Sequence, residues 1–453
     1  MTLTAGRPSG WLVTGAQAKR ILAIGLPIVG GMLSQNVLDI VDTLMVGRLG
    51  AAALAAVGIA SFANFLAVAV LVGLSAGVQA VVARRKGEGR EEDMAVPLNG
   101  GLLFAVIVGA AITVVGLMIA PTVYPLLVNH DPDVVAQGVP YFEARLVGAI
   151  AIGLNFSFRG FWYGIGETKT YLKIILTMHA VNVVVSYVLI FGPFGLPALG
   201  TLGAGIGTTF ALYVGTVLYA VLTFRRARPM GFLKRLPRGA TVRSLLRLSI
   251  PSAVQMLLFA GGLTALFTIA GLVGVAALAV SNVLVNLSKI AVLPAMGLGM
   301  AAMTLVSNAL GRKDPDEANR WAWQTVQLAL VAVTTVACIL LAVPETVLRV
   351  FTDDASVIDA GVLPIRIAGA ALLIEAFAAV MGNALTGAGA ARLTMAVNGL
   401  AQWVLGLPLA YLLAVSFDLG VVGIWVGWSA SRVVTAFALT AFWMAGRWRT
   451  ITL

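Results

Sequence analysis

Charged residues, histidine and cysteine are all scarce in this sequence. Only 11% of the 453 residues are Asp, Glu, Lys or Arg, whereas 60% are hydrophobic. A soluble globular domain needs more charged surface than this, so the composition indicates a polytopic membrane protein. The single cysteine excludes a disulfide framework within one chain. Two histidines argue against a multi-histidine metal centre or a haem protein.

Motifs of nucleotide hydrolysis and metal-dependent hydrolysis are missing as well. The sequence contains no GxxxxGK[ST] loop, no HExxH and no paired cysteines. Membrane spans use most of the chain, which leaves no room for a separate catalytic domain. We therefore expect neither an enzyme nor a bound cofactor, and any transport would draw its energy from an ion gradient.

Long apolar runs occupy most of the sequence. A membrane-spanning helix needs about 20 mostly apolar residues, and twelve runs meet this length. They lie near 21–46, 52–82, 96–120, 138–164, 170–191, 203–224, 243–270, 277–308, 320–342, 361–386, 394–415 and 420–445. The expected fold class is an all-α polytopic membrane protein with twelve transmembrane helices.

Basic residues are concentrated in alternate loops and in both tails. They are Arg84, Arg85, Lys86, Arg90, Lys169, Arg225, Arg226, Arg228, Lys234, Arg235, Arg238, Arg312, Lys313 and Arg392, with Arg7, Lys19, Arg20, Arg447 and Arg449 in the tails. Cytoplasmic loops are rich in Lys and Arg, so this pattern places both termini in the cytoplasm. An even number of spans predicts the same. The net charge of +11 is then explained without a nucleic-acid partner.

The sequence also contains an internal repeat. A shift of 224 residues places LPIVGGML (26–33) on IPSAVQML (250–257), with Pro27 on Pro251. Six spans per half predict two pseudo-symmetric lobes with the same orientation and a substrate cleft between them. The predicted division is an N-terminal lobe at 1–224, a basic cytoplasmic linker at 225–242 and a C-terminal lobe at 243–453.

Two acids lie inside the first span, in QNVLDIVDTLMVG (35–47). Acids within a membrane helix are costly and are usually functional. Asp39 and Asp42 are three residues apart and nearly share a helix face. The alternative is that Asp42 simply ends the helix at the outer interface, although apolar residues continue beyond it.

The second half supplies Glu375 in the tenth span and Lys289 in the eighth. They are each other's obvious partners in a low-dielectric bundle, so Glu375 could carry a proton, bind a cation or form a structural ion pair. Arg145 and Arg366 recur in the two halves, at the outer ends of spans four and ten. We interpret these two arginines as anchors at the membrane interface.

Polar residues suggest where ions and substrate bind. Asn182 and Ser186 are four residues apart and share one face of the fifth span, and Thr208 opens the sixth. Each could instead bond to its own helix or join helices together. Candidates for the substrate cleft, any of which could equally be packing residues, are Gln35, Asn36, Phe65, Asn155, Gln255 and Phe259.

Three stretches resemble one known family. PIVGGMLSQNVLDIVDTLMVGRLGAAALAAVG (27–58) resembles the first helix and loop of multidrug and toxic compound extrusion (MATE) transporters. FRGFWYGIGETKT (158–170) resembles their motif between spans four and five, and LTGAGAARLTM (385–395) resembles its counterpart after span ten. The resemblance covers essentially the whole chain. It implies two six-helix lobes around a V-shaped cleft, alternating access, and export of organic cations in exchange for H⁺ or Na⁺.

The resemblance also implies roles for residues of the first lobe. Asp42 matches the first-helix aspartate of the family, Asn182 and Ser186 match its fifth-helix polar pair, and Thr208 matches a sixth-helix threonine. Together they resemble the cation or proton site of the family, and Asp39 either assists this site or merely faces the cleft. Protonation of Asp42, or binding of an ion to it, from the outer side is expected to bend or repack this lobe, shrink the site and expel the substrate.

In the second lobe, Glu375 matches an acid found in one branch of the family, and Lys289 is similar in placement to a basic residue of some members. Two positions depart from the family pattern. Phe259 stands where many members have a glutamate, so the second-lobe ion site of that branch is incomplete. Ser186 replaces an Asp or Asn, which removes an oxygen ligand that Na⁺ would need. A proton needs only one carboxylate in surroundings that disfavour its charge, so H⁺ is preferred to Na⁺ as the coupling ion.

The expected function is therefore multidrug efflux by a monomeric antiporter in a bacterial cytoplasmic membrane. Its partners would be small organic cations and the lipid bilayer. A lipid-linked precursor flippase of the same superfamily is the first alternative, although such proteins usually have more spans and a more cationic cavity. A channel or a structural membrane protein is the second, and a membrane-embedded enzyme is the least favoured.

Overall fold

The computed structural model describes residues 12–452, so the predicted tail residue Arg7 lies outside the described part. Within that part the chain is helical and contains no strand. The helices are α1 (Gly15–Gly47), α2 (Ala51–Val72), α3 (Leu74–Gly87), α4 (Val96–Leu127), α5 (Pro132–Val147), α6 (Ala149–Gly164), α7 (Thr168–Phe191), α8 (Gly200–Ala227), α9 (Gly239–Val273), α10 (Val275–Gly311), α11 (Pro315–Ala342), α12 (Pro344–Arg349), α13 (Ala355–Ala388), α14 (Ala391–Leu400), α15 (Leu407–Tyr411) and α16 (Gly420–Met444). Two wider π-helical segments, Ala401–Gly406 and Leu412–Ser416, flank α15.

Helix starts outside the apolar runs follow ordinary capping chemistry. Asp131 accepts the backbone N–H groups of Asp133 and Val134 at the start of α5, and Asp314 accepts the N–H of Glu317 at the start of α11. Asp354 accepts the N–H of Ser356 at the start of α13. A carboxylate at this position satisfies N–H groups that have no partner within the helix. Local sequence therefore sets where these helices begin.

Eleven helical stretches of the described chain are long and apolar enough to cross a membrane. The predicted span 138–164 is not one of them, because it is two helices that meet at Gly148 rather than one. Side chains from α4 and α8 take up the carbonyl groups near the break. Thr113 donates to Leu146 O at 2.8 Å, Thr209 to Ala144 O at 2.8 Å and Tyr213 to Val147 O at 2.9 Å. These bonds let the chain interrupt its helix without leaving backbone groups unsatisfied.

The described residues form two compact units. The first unit is 30–257, which comprises most of α1, helices α2–α8 and the beginning of α9. Its apolar core includes Val46, Tyr124, Phe142 and Ile190. The Tyr124 hydroxyl donates to Ala56 O at 2.8 Å, which satisfies the one polar atom of a fully buried ring.

The second unit comprises residues 12–29 and 258–452. Helices α10, α11, α13 and α16 pack on one another within it. Near its C-terminus Trp448 is completely buried, and its ring stacks on Trp443 at a centroid distance of 4.0 Å. The Trp443 indole donates to Asn319 Oδ1 at 2.7 Å, which ties the end of α16 to α11.

Two helices change from one unit to the other along their length. The change falls between residues 29 and 30 in α1 and between residues 257 and 258 in α9. Each lies a few residues after an internal proline, Pro27 or Pro251, where the helix lacks one backbone hydrogen bond. The predicted lobe boundary at 225–242 thus differs from the unit boundaries in the structure, and the division at the linker stays a prediction.

The predicted linker is fastened to the first unit. Asn99, which is 6% exposed, donates to Gly231 O at 2.9 Å and to Arg235 O at 2.8 Å. Its own carbonyl accepts the N–H of Leu233 at 3.0 Å. Arg235 also pairs with Asp93 at 2.8 Å. One buried amide therefore holds most of the turn between α8 and α9.

Candidate functional site

The outer part of α1 carries an exposed carboxylate that is held by its own helix. Gln35 Nε2 donates to Asp39 Oδ1 at 2.9 Å, one turn along α1. The Thr43 hydroxyl donates to the carbonyl of Asp39 at 2.7 Å. Asp39 is exposed, and ionisable side chains within membrane helices usually face a protein interior or a water-filled cavity. Asp39 is thus not enclosed by the other described residues.

Asp42 is more enclosed than Asp39. Its Oδ1 atom is buried and accepts no hydrogen bond from the described residues. The carboxylate interacts electrostatically with Arg145 of α5 and with Asp39, but no ion pair joins it directly to Arg145. Nε and Nη1 of Arg145 are likewise buried without a partner among the described residues. The acid and the arginine thus attract each other across a gap.

Arg145 is therefore a site residue that the sequence reasoning missed. It was predicted to anchor the membrane interface, but in the structure it is half-buried, with two buried guanidinium nitrogens and an electrostatic interaction with Asp42. The signal was its place within a span of an otherwise charge-poor sequence. An acid with no visible partner in the same lobe calls for a basic residue, and Arg145 supplies it.

A chain of hydrogen bonds joins α1 to α7. His179 Nδ1 lies 2.6 Å from Ser34 Oγ, and His179 Nε2 lies 3.1 Å from Gln35 Oε1. The chain continues through Gln35 to Asp39. His179 is 8% exposed, so both ring nitrogens use protein partners in place of water. Its position one turn before Asn182 was the only hint that the sequence contained.

The predicted fifth-helix pair is present. Ser186 Oγ donates to Asn182 Oδ1 at 3.4 Å, and both residues are buried. A Cβ atom on Gly207 of α8 would lie 2.3 Å from Ser186 Oγ, so only glycine allows α8 to approach this closely. The next residue, Thr208, donates to Ala204 O within its own helix at 3.0 Å. The structure thus brings Asn182 and Ser186 together at a tight α7–α8 contact beside Thr208.

The predicted cleft residues have different surroundings. Asn155 is buried and satisfied at both ends, because it donates to Leu212 O at 2.9 Å and accepts from Thr216 at 3.0 Å. It ties α6 to α8 and has little left to offer a substrate. Asn36 donates to Met32 O on its own helix at 2.9 Å. Phe65 and Gln255 are half-buried.

In the second unit, Glu375 does not pair with Lys289. Lys289 is exposed, and no ion pair joins the two residues among those described. The charged residue that interacts electrostatically with Glu375 is Arg432 of α16, and Trp428 lies near the same carboxylate. The Arg432 guanidinium lies 4.7 Å from the centre of the Trp428 ring, and Phe259 lies 6.3 Å from the same ring. Sequence spacing could not reveal that α16 rather than α10 faces Glu375.

The described residues contain no group of three or more His, Cys, Asp or Glu side chains that could hold a metal ion. Around Asp42 the protein offers one buried carboxylate oxygen, a neighbouring acid and a nearby arginine. A carboxylate facing a positive charge can gain or lose a single proton with little rearrangement.

Long apolar helices, acids within them and a two-fold sequence repeat together define a polytopic membrane carrier. A sequence model of the family described as MatE matches residues 27–188 and matches again at 251–412. The two matches cover well over half of the chain, and the chain belongs to the MatE family. The second match begins 224 residues after the first (251 minus 27), which confirms the predicted repeat.

Relatives named as multidrug resistance proteins match this chain over nearly its whole length. A probable multidrug resistance protein NorM of Bradyrhizobium diazoefficiens is 30% identical over 430 residues, covering 92% of this chain and 90% of the relative. A probable multidrug resistance protein NorM of Thermotoga maritima is 24% identical over 432 residues, covering 95% and 93%. The multidrug resistance protein MdtK of Edwardsiella ictaluri is 24% identical over 422 residues, covering 91% and 92%.

Solved structures have the same fold. An outward-facing multidrug resistance MATE family transporter superposes with a TM-score of 0.87 at 20% identity, covering 96% of this chain and 97% of that one. A MOP superfamily transporter from Pyrococcus furiosus, described as having a binding pocket of reverse polarity, gives 0.85 with the same identity and coverage. The predicted fold class of twelve transmembrane helices in two six-helix lobes is confirmed. The protein is an integral membrane protein of a family of small-molecule transporters.

Proposed function

We propose that this protein is a secondary active antiporter that exports organic cations and other xenobiotics by alternating access. Its relatives named as multidrug resistance proteins support the substrate class. Those relatives are bacterial, which supports a place in a bacterial cytoplasmic membrane with both termini in the cytoplasm. The protein would work as a monomer without a bound cofactor.

The observation that carries this proposal is the state of Asp42. A carboxylate oxygen buried within a membrane helix, with no hydrogen-bond donor from the described residues, is costly to keep ionised. Asn or Leu would fill a similar space without this cost if the residue served packing alone. A group that must change charge during each cycle gives a physical reason for an acid at this position.

Arg145 gives this change of charge a mechanical consequence. When Asp42 is ionised, it attracts the Arg145 guanidinium and draws α1 toward α5. When Asp42 is neutral, that attraction is lost and the outer part of α1 is free to repack. A proton arriving from outside would therefore favour one arrangement of the first unit, and its release would favour the other.

H⁺ suits this site better than Na⁺ as the coupling ion. Ser186 contributes one hydroxyl, and that hydroxyl already donates to Asn182. Thr208 is bonded to its own helix. Few oxygen atoms remain to complete a sodium shell, whereas a proton needs only the Asp42 carboxylate.

Gradient-driven flux in proteoliposomes tests the proposal. Vesicles containing the purified protein are loaded with ethidium, a fluorescent organic cation, and an outer-acid pH gradient or an inward Na⁺ gradient is imposed separately. We expect efflux with the pH gradient alone, and we expect Asp42→Asn to abolish it. Efflux driven only by Na⁺ would contradict proton coupling. Absence of ethidium flux with either gradient would contradict the antiporter proposal and favour the lipid-linked precursor flippase.

A further inference from the structure

We propose that His179 is a positioning residue: acting through Gln35, it fixes the orientation of the Asp39 carboxylate, which receives the positive group of the organic cation. The inference rests on the proposed function and deepens it. It concerns the chain Ser34–His179–Gln35–Asp39, whose links measure 2.6, 3.1 and 2.9 Å.

The direction of every hydrogen bond in this chain follows from its last member. An ionised carboxylate only accepts, so the amide nitrogen of Gln35 must face Asp39 and its carbonyl must face His179. A carbonyl oxygen only accepts, so His179 Nε2 carries the proton in that bond. In a neutral ring Nδ1 is then the acceptor, and the Ser34 hydroxyl donates to it. The chain therefore points from Ser34 toward Asp39 without a conflict.

The same contacts fix the ring of His179 against α1. Ser34 and Gln35 are neighbours in sequence, so their side chains leave α1 about 100° apart. One imidazole touches both, which sets its orientation and leaves Gln35 few alternative rotamers. Gln35 and Asp39 are exposed while His179 is buried. A buried group thus holds an exposed carboxylate in place, as a support does for a binding group.

This arrangement has a consequence that simple packing would not have. If His179 only fills space, then any side chain of similar volume should serve. If it positions Asp39, then the donor at Nε2 matters and the acceptor at Nδ1 matters less. Loss of the Nε2 bond should weaken binding of the cation, so KM should rise while kcat changes much less.

Two near-isosteric variants separate these possibilities. The amide nitrogen of Gln in His179→Gln takes the place of Nε2 and keeps the donor to Gln35. The amide of Asn in His179→Asn reaches only the Nδ1 position, so it keeps the Ser34 bond and loses the Gln35 bond. We expect the KM for ethidium to be roughly threefold to tenfold higher in His179→Asn than in His179→Gln, the effect of one hydrogen bond.

A double-mutant comparison tests the route through Gln35. Once Gln35→Ala has removed the middle of the chain, adding His179→Asn should raise KM no further. Equal KM values for His179→Gln and His179→Asn would overturn the proposal. So would an effect of His179→Asn that persists in full in the Gln35→Ala background.

A spectroscopic measurement tests the arrangement without any transport. The chain contains only two histidines, so ¹⁵N-histidine NMR of a His130→Gln protein reports on His179 alone. We expect the neutral form protonated at Nε2 in this protein and a changed Nε2 resonance when Gln35→Ala is added. The form protonated at Nδ1 would overturn the proposal. Wild type that moves no ethidium would overturn the proposed function, while the NMR result would still decide whether His179 holds Gln35.

Discussion

Each of the two units contains one intramembrane acid that faces an arginine, and the two sites differ in how the acid is held. In the second unit, Glu375 interacts electrostatically with Arg432, whose guanidinium lies over the Trp428 ring. In the first unit, Asp42 has the attraction of Arg145, but its buried Oδ1 receives no hydrogen bond from the described residues. Both arginines have guanidinium nitrogens that are buried without a hydrogen-bond partner in the described part of the chain, whereas of the two acids only Asp42 has such an oxygen.

A charged residue inside a membrane protein can stabilise the fold or change its charge during transport. Removing the charge of one member of a buried acid–arginine pair leaves the other charge uncompensated, so a pair held beside an aromatic ring resists a change of charge. An acid that is attracted by an arginine without a direct ion pair can change its charge and move. We interpret Glu375 as part of a structural ion pair and Asp42 as the coupling acid.

Removing the charge of each acid in turn tests whether Asp42 and Glu375 have different roles. Asp42→Asn should reduce gradient-driven ethidium efflux by roughly 100-fold or more, because a site that cannot bind a proton cannot shift the equilibrium between states. Glu375→Gln should reduce it far less. The measurement is the initial efflux rate in proteoliposomes with matched amounts of folded protein. Equal losses in both variants would show that the two acids share one role.

The second test removes Arg432, the arginine that interacts with Glu375. Arg432→Met leaves Glu375 without its counter-charge and should lower the free energy of unfolding by about 3 kcal/mol. The double variant Glu375→Gln with Arg432→Met should recover much of this loss. Thermal unfolding of the purified protein in detergent measures both effects. A double variant no more stable than Arg432→Met would contradict a mutual ion pair.

The third test removes Arg145, the arginine that interacts with Asp42. Arg145→Gln should lower ethidium efflux by roughly tenfold, about the cost of one lost charge interaction of 1–2 kcal/mol. Its thermal stability should stay close to wild type, because no direct hydrogen bond to Asp42 is broken. Comparison with Arg432→Met in the same unfolding assay separates the roles. A stability loss as large as that of Arg432→Met would mean that both sites are structural.

The smallest expected effect is that of removing a charge outside the membrane spans, at the N-terminus of α13. Asp354 caps α13 through Ser356, and these hydrogen bonds hold the pKa of its carboxyl below the usual range. A lowered pKa in the folded state stabilises the fold above the unfolded pKa of about 4, and this stabilisation is lost as the pH falls through the folded pKa. Asp354→Asn keeps a capping oxygen but not the charge. Its melting temperature should be slightly lower than wild type at pH 7 and equal to it in strong acid.

The sequence predicted the features that depend on local pattern. The apolar runs defined the spans, and the match of Pro27 with Pro251 defined the repeat that the family match confirms. Asp42 was identifiable because an acid in an apolar helix stands out. Asn182 and Ser186 were identifiable because a four-residue spacing puts both on one face.

Features that depend on how helices face one another were out of reach. Arg145 looked like an interface anchor, since only packing reveals that α5 turns it toward α1. Lys289 seemed the partner of Glu375 because it lies in the same half, whereas the rotation of α16 presents Arg432. The break at Gly148 depends on three side chains from other helices, so a hydropathy pattern reads it as one continuous span. His179 carried no signal in the sequence beyond its position one turn before Asn182.

The change of unit within α1 and α9 bears on how the protein is made. The first unit cannot be completed until residue 257 has been synthesised, well beyond the linker. Residues 12–29 precede the first unit in the sequence, yet they belong to the second unit, which is completed after it. During synthesis, residues 12–29 therefore cannot pack within the second unit until its helices from residue 258 onward have been made. For the same reason, two fragments divided at the linker would each lack a piece of the unit that they were meant to form.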